Sequence, residues 1–218
     1  MIELCGSLLA ANHAHLGRDL KSAGIHGISR FHIDVCDGHY TPHIAFSDQL
    51  VRNLRAETDS VLEVHLAVHN MPAITETFLD AGADILTIQY ECCELPSRLM
   101  KAVRAADLSP GICFIPATGF EVMEFFLDEA EYVNILGVDP GIGGQPFDSK
   151  ILTKIEKTAD YISRHNLNAR ISVDGGVNLE TMNRITNAGA DILTFGSAVF
   201  SGDIKTNIER INKGLKDE

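Results

Sequence analysis

Basic residues are scarce in this 218-residue chain: Lys and Arg total 18 against 30 Asp and Glu, for a formal net charge of −12. A surface that tracks a nucleic-acid backbone needs clustered cations, so nucleic-acid binding is excluded. An anionic small molecule would have to be held locally, by main-chain amides at helix starts. Long hydrophobic runs are also missing. No segment approaches the roughly 20 apolar residues that cross a bilayer, and the N-terminal MIELCGSLLAANH has no basic region followed by an apolar stretch and a cleavage site, so a cytosolic protein is expected. The five cysteines, two of them adjacent (Cys92, Cys93), do not form a disulfide framework for a chain of this size, and free thiols are expected. No stretch is biased enough to read as a linker or disordered tail, and the length suits one domain spanning 1–218.

What is present is alternation. Eight short β-rich runs (IELCGSLL, RFHIDV, VLEVHLAV, DILTIQ, GICFI, YVNILGV, ARISVD, DILTFG) are separated by segments with apolar residues three and four apart, such as LVRNLRAE, AITETFLDA, LPSRLMKAVRAA, FEVMEFFLDEA, ILTKIEKTADYISRH and LETMNRITNAG. Strands alternating with helices imply a parallel sheet with right-handed crossovers, and eight repeats favour closure into a (β/α)8 TIM barrel over an open sheet. An open doubly wound sheet would carry its Gly-rich turn after the first strand, whereas here the Gly-rich turns follow strands six, seven and eight. Local signals mark several borders: Thr118 with Glu121 has capping-box spacing, and Gly82 and Gly189 follow helical stretches. Both glycines sit in the phrase AGADILT, at 81–87 and again at 188–194, which hints at an echo between half-barrels.

Two groups of residues carry chemistry. His32 and Asp34 are two apart on one strand and therefore point to the same side. His65 lies in an otherwise apolar third strand, and Asp174 ends the seventh just before two glycines. A strand histidine taken alone is commonly a hydrogen-bonded core residue, and a strand-end aspartate a helix cap. Four such residues near the C-terminal ends of three strands converge where barrel active sites lie, and mixed imidazole and carboxylate donors suit one divalent ion: Zn, Fe, Mn or Co. The second group is glycine: VDPGIGGQPF, DGGVN and TFGSAVF place Gly141, Gly143, Gly144, Gly175, Gly176, Gly196 and Ser197 on consecutive turns, which points to phosphate held by main-chain amides. The other histidines, among them His13, His15, His26, His43, His69 and His165, read as solvated or locally bonded; His39, in DGHY, could cover the site. Cys92 and Cys93 read as idle thiols.

Together, GSLLAAN, HIDVCDGHYTPHIAF, VHL, the PAT at 116–118, VDPGIGGQPF, VDGGVN and FGSAVF resemble the ribulose-phosphate 3-epimerase family, including its hexulose relative allulose-6-phosphate 3-epimerase, nearly from end to end. The resemblance implies an isomerase that inverts C3 of a ketose phosphate, by default D-ribulose 5-phosphate and D-xylulose 5-phosphate. It implies His32, Asp34, His65 and Asp174 as metal ligands, Asp34 and Asp174 as the acid–base pair, and Ser7, His65 and the glycine set with Ser197 on the substrate. The expected partners are a small sugar phosphate and further copies of the chain, with no nucleic acid and no membrane. A single base would return a proton to the face it left, so inversion calls for two carboxyl groups on opposite faces of the substrate. The sequence departs from the family pattern where Cys36, Ala67 and Leu136 stand for pocket methionines, Gln89 for a histidine, and Gly6 for a proline. Three alternatives stay open: a hexulose-phosphate 3-epimerase, a related sugar-phosphate lyase or decarboxylase, which would need a cation that the strand ends hardly supply, and a non-catalytic sugar-phosphate-binding barrel.

Overall fold

In the computed structural model, which describes residues 2–141 and 145–215, each β-rich run becomes a strand: β1 (Glu3–Ser7), β2 (Arg30–Asp37), β3 (Val61–Ala67), β4 (Ile85–Gln89), β5 (Ser109–Phe114), β6 (Tyr132–Leu136), β7 (Arg170–Asp174) and β8 (Ile192–Phe195). Each pairs in parallel with the next, and β1 pairs with both β2 and β8, so the sheet closes into a (β/α)8 barrel. A two-residue piece, Ile44–Ala45, runs antiparallel to Cys36 and Asp37 and folds the β2 loop back on the barrel mouth.

The helices among the described residues are α1 (Leu16–Ile25), α2 (Asp48–Arg55), α3 (Met71–Phe78), α4 (Pro96–Ala105), α5 (Phe120–Met123), α6 (Ile151–His165), α7 (Met182–Asn187), α8 (Ser197–Phe200) and α9 (Ile204–Gly214). Side-chain caps start two of them: Ser47 accepts from the Leu50 amide before α2 and Asp203 from the Thr206 amide before α9. The capping box read at Thr118 and Glu121 does not form. Gly119 is the cap residue of α5, and the Thr118 hydroxyl donates to Glu91 instead. A tertiary acceptor has taken the hydroxyl that the local spacing assigned to a helix start.

Alternation along the strands sorts the core into two layers. On β3, Leu62, Val64 and Leu66 are fully buried in the main apolar cluster between sheet and helices, while the intervening Glu63, His65 and Ala67 belong to the barrel interior. That interior is polar at mid-height, with Cys5, His32, Glu63, Thr87, Asn134, Ser172 and Thr194 all buried, where barrels more often stack aliphatic side chains. Arg30 lies beneath, its guanidinium 4.3 Å from the centre of the Tyr132 ring and its Nε donating to Glu63 at 3.0 Å. A carboxylate with no exposure would be severely destabilising alone; here Arg30 and the Thr87 hydroxyl, at 2.8 Å, compensate it.

The two AGADILT phrases do the same work. Gly82 and Gly189 both have positive φ, +93° and +110°. Asp84 Oδ2 accepts the Leu62 amide and Asp191 Oδ2 the Ile171 amide, each at 2.8 Å. The main chain of each aspartate also bonds both neighbouring strands, Asp84 to Leu62 and Ser109, Asp191 to Ile171 and Glu3.

Candidate active site

The C-terminal ends of the strands surround a cavity of about 520 Å3 lined by Ser7, Asp34, His65, Ala67, Asp174 and the turns of β6 to β8. Its side-chain centre comes from β2 and β3. In-register pairing sets Asp34 beside His65, and the i, i+2 spacing on β2 puts His32 on the same inner face. Asp34 Oδ1 lies 3.2 Å from His32 Nε2 and 3.2 Å from His65 Nδ1, while Asp34 Oδ2 accepts from the Ser7 hydroxyl at 3.4 Å. Asp174, from across the barrel, places Oδ2 3.7 Å from His32 Nε2.

His32, Asp34 and His65 offer ligand atoms that all lie within 4.8 Å of one another. Two imidazole nitrogens and a carboxylate, on buried and rigid strands, fit the donor chemistry of a divalent transition ion. Asp174 flanks this group rather than completing it at the same spacing.

The two aspartates are pushed in opposite directions. Burial raises Asp34, but the adjacent His32 and the hydrogen bonds from His32 and His65 outweigh it and hold the carboxyl well below the usual range. Asp174 is raised to about 6, first by burial and then by repulsion from Asp34, against the opposing attraction of His32. Burial lowers His32, yet Asp34 and Glu63 win and raise the imidazole well above its ordinary value. Of two carboxyl groups beside one histidine, Asp174 thus keeps its proton longer.

The opposite side of the cavity is main chain. Gly141, Gly175, Gly176, Gly196 and Ser197 all line it; Gly143 and Gly144 lie outside the described residues. Gly175 and Gly176 have φ of +91° and +71°, and a Cβ on Gly176 would come within 2.9 Å of the Phe147 main chain. Only glycine fits this turn without strain. The Gly176 carbonyl is fixed by the Asn178 side-chain amide at 3.1 Å and the Thr181 hydroxyl at 2.9 Å.

Some site-facing residues escaped the sequence. His43, read as solvated, lines the cavity mouth together with Thr41, whereas His39 is exposed and turned to Asp37. Glu63 stands behind His32, with Oε1 3.6 Å from Nδ1, too long for a hydrogen bond but close enough for attraction. Its signal was the i, i+2 spacing to His65. Gln89 Oε1 lies 2.9 Å from His65 Nε2. All five cysteines are free, and burial with the nearby Glu91 pushes the Cys92 thiol up to about 12.

A closed parallel barrel with buried titratable side chains at its strand ends and glycine turns opposite has the form of a barrel enzyme, and comparison with known proteins gives the family. The model of the Ribulose-phosphate 3 epimerase family matches residues 3–200. The chain is 36% identical to ribulose-phosphate 3-epimerase of Bacillus subtilis (97% of this chain, 98% of the relative) and 32% identical to that of Escherichia coli K12 (96% and 94%). Among solved structures, KGPDC from Streptococcus mutans superimposes with a TM-score of 0.74 at 14% identity, covering 100% of this chain and 98% of that one, which is a likeness of fold. The chain belongs to the ribulose-phosphate 3-epimerase family, the carbohydrate epimerases that act on sugar phosphates. No helix among the described residues is long and apolar enough to cross a membrane.

Proposed function

We propose that this protein inverts C3 of a ketose phosphate by two-base proton transfer between Asp34 and Asp174. The observation that carries the reading is the opposite protonation bias of two carboxyl groups beside His32, one held low and the other raised to about 6. Groups of opposite bias suit a paired acid and base. The ionised carboxylate takes the C3 proton from one face and leaves an enediolate; the carboxylic acid returns a proton to the other face. For the opposite epimer the two exchange roles. Ser7, bonded to Asp34, keeps that carboxylate aimed at the substrate. The phosphate rests at the Gly175–Gly176 and Gly196–Ser197 turns, with Gly141 beside it.

His32, Asp34 and His65, with Asp174 adjacent, would hold one divalent ion (Zn, Fe, Mn or Co). When bound, it supplies positive charge that stabilises the developing oxyanion. D-ribulose 5-phosphate and D-xylulose 5-phosphate are the default substrates. A hexulose phosphate is the second reading, favoured by the small Ala67 in the cavity wall.

The test is deuterium incorporation at C3 across pentulose and hexulose phosphates in deuterated water, in the wild type and in Asp34→Asn and Asp174→Asn. Each variant should lose about 10³-fold in kcat, while retaining C3 exchange with one epimer only. Full turnover by either variant would sink the two-base scheme.

A further inference from the structure

Gln89 is fully buried at the end of β4 and does not itself line the cavity, yet its side chain closes a chain of hydrogen bonds that ends on His65, which does. Its Nε2 faces two acceptors, donating to the Glu91 carboxylate and to the Cys113 carbonyl at 3.3 Å. Both are acceptors only, so the amide has one satisfactory orientation, with Oε1 toward His65. Glu91 is itself pinned, its Oε1 taking the Ile115 amide at 3.1 Å and the Thr118 hydroxyl. A side-chain carbonyl cannot donate. The hydrogen between Gln89 and His65 must therefore sit on His65 Nε2, and the ring is turned so that Nδ1 faces Asp34 at 3.2 Å.

We propose that Gln89, clamped by Glu91, is a positioning residue that keeps a hydrogen on His65 Nε2 and so makes Nδ1, turned toward Asp34, the nitrogen that takes a ligand. The inference rests on the metal-site reading above for its use, but the hydrogen on Nε2 does not depend on any ion. The support differs in kind from that behind His32, where the nearest outer group is the carboxylate of Glu63. A histidine at position 89 could donate or accept and would leave open whether His65 Nε2 carries hydrogen. An amide whose nitrogen is already committed to Glu91 and Cys113 leaves no such freedom. Outer partners of this kind commonly change metal affinity by roughly 10- to 100-fold.

The test uses the full chain, wild type and Gln89→Leu, in two measurements. Long-range 1H–15N correlation of the imidazole rings in metal-free protein reads whether His65 Nε2 bears hydrogen. Chelator competition with zinc ion reads affinity. The expected result is an Nε2–H signature for His65 in the wild type, its loss in Gln89→Leu, and a zinc Kd raised roughly 10- to 100-fold, with kcat at saturating zinc changed much less. A His65 Nε2 without hydrogen in the wild type would overturn the proposal, as would a variant that keeps both the Nε2–H signature and the affinity. The wild-type spectrum decides the point even if Gln89→Leu does not fold. An Nε2–H signature in a wild type that binds no zinc would uphold the lock and defeat the metal reading instead.

Discussion

The two arcs of the barrel mouth are made of different parts. From β2 to β4 the site consists of buried side chains bonded to one another: Asp34 to both histidines and Ser7, His65 to Gln89, Glu63 to Arg30 and Thr87. From β6 to β8, apart from the Asp174 carboxyl at the end of β7, it is turns whose shape depends on having no side chain, as the close approach of Gly176 to Phe147 shows. The first arc, with Asp174 facing it from β7, can hold and move protons, because these titratable groups are pushed apart by burial and by one another. The second can offer an anion many fixed dipoles without adding a charge, which suits a chain of net charge −12.

Breaking the first arc from below should have the largest effect. Arg30→Met leaves Glu63 buried without its cation and should cost about 3–5 kcal/mol in urea unfolding, with much of the loss recovered in Arg30→Met/Glu63→Gln. A smaller effect, of opposite sign, is expected at Asp174. In the metal-free wild type the folded carboxyl keeps its proton up to about 6, whereas the unfolded one releases it near its ordinary value of about 3.9. The folded state thus binds more protons between these values, and stability falls as pH rises through that window. Asp174→Asn lacks this loss, so at pH 8 it should unfold about 2 kcal/mol less readily than the wild type, with the gap closing by about pH 4. A variant inactive yet more stable would mark Asp174 as strained for function.

The second arc is tested by Gly176→Ala. A left-handed alanine costs roughly 1–2 kcal/mol, so KM for the sugar phosphate should rise about tenfold while metal content stays unchanged. Loss of metal as well would mean that the arcs are not separable. Smallest of all, Ala67→Met should shift kcat/KM against a hexulose phosphate relative to a pentulose phosphate by about 1 kcal/mol. Equal effects on both sugars would show that position 67 does not set substrate size.

The arcs also differ in how far the sequence exposed them. All eight strands were readable, because β-branched runs bounded by turn residues alternate with helical spacing throughout. His32, Asp34, His65 and Asp174 stood out as polar groups in apolar strands, and the structure brings them together. Glu63 did not, and Gln89 stood out only as a departure from the family pattern, since a strand pattern tells which face a residue takes but not whom it meets across the barrel. Thr118 shows the same limit: its spacing to Glu121 spelled a local cap, while the partner it found, Glu91, is 27 residues away. The glycine turns announced themselves by composition, but their left-handed dihedrals and close approaches became visible only in three dimensions.

The paired aspartates Asp84 and Asp191 stand four strands apart on a ring of eight, each stitching three consecutive strands by main chain and carboxylate. They act as two identical seams at opposite points of the circumference. A slip of β3, β4 or β5 would have to undo one seam and a slip of β7, β8 or β1 the other, so an error in height cannot travel round the ring. The tilt that brings Asp34 and Asp174 to one level is in this sense fastened twice, far below the chemistry that needs it.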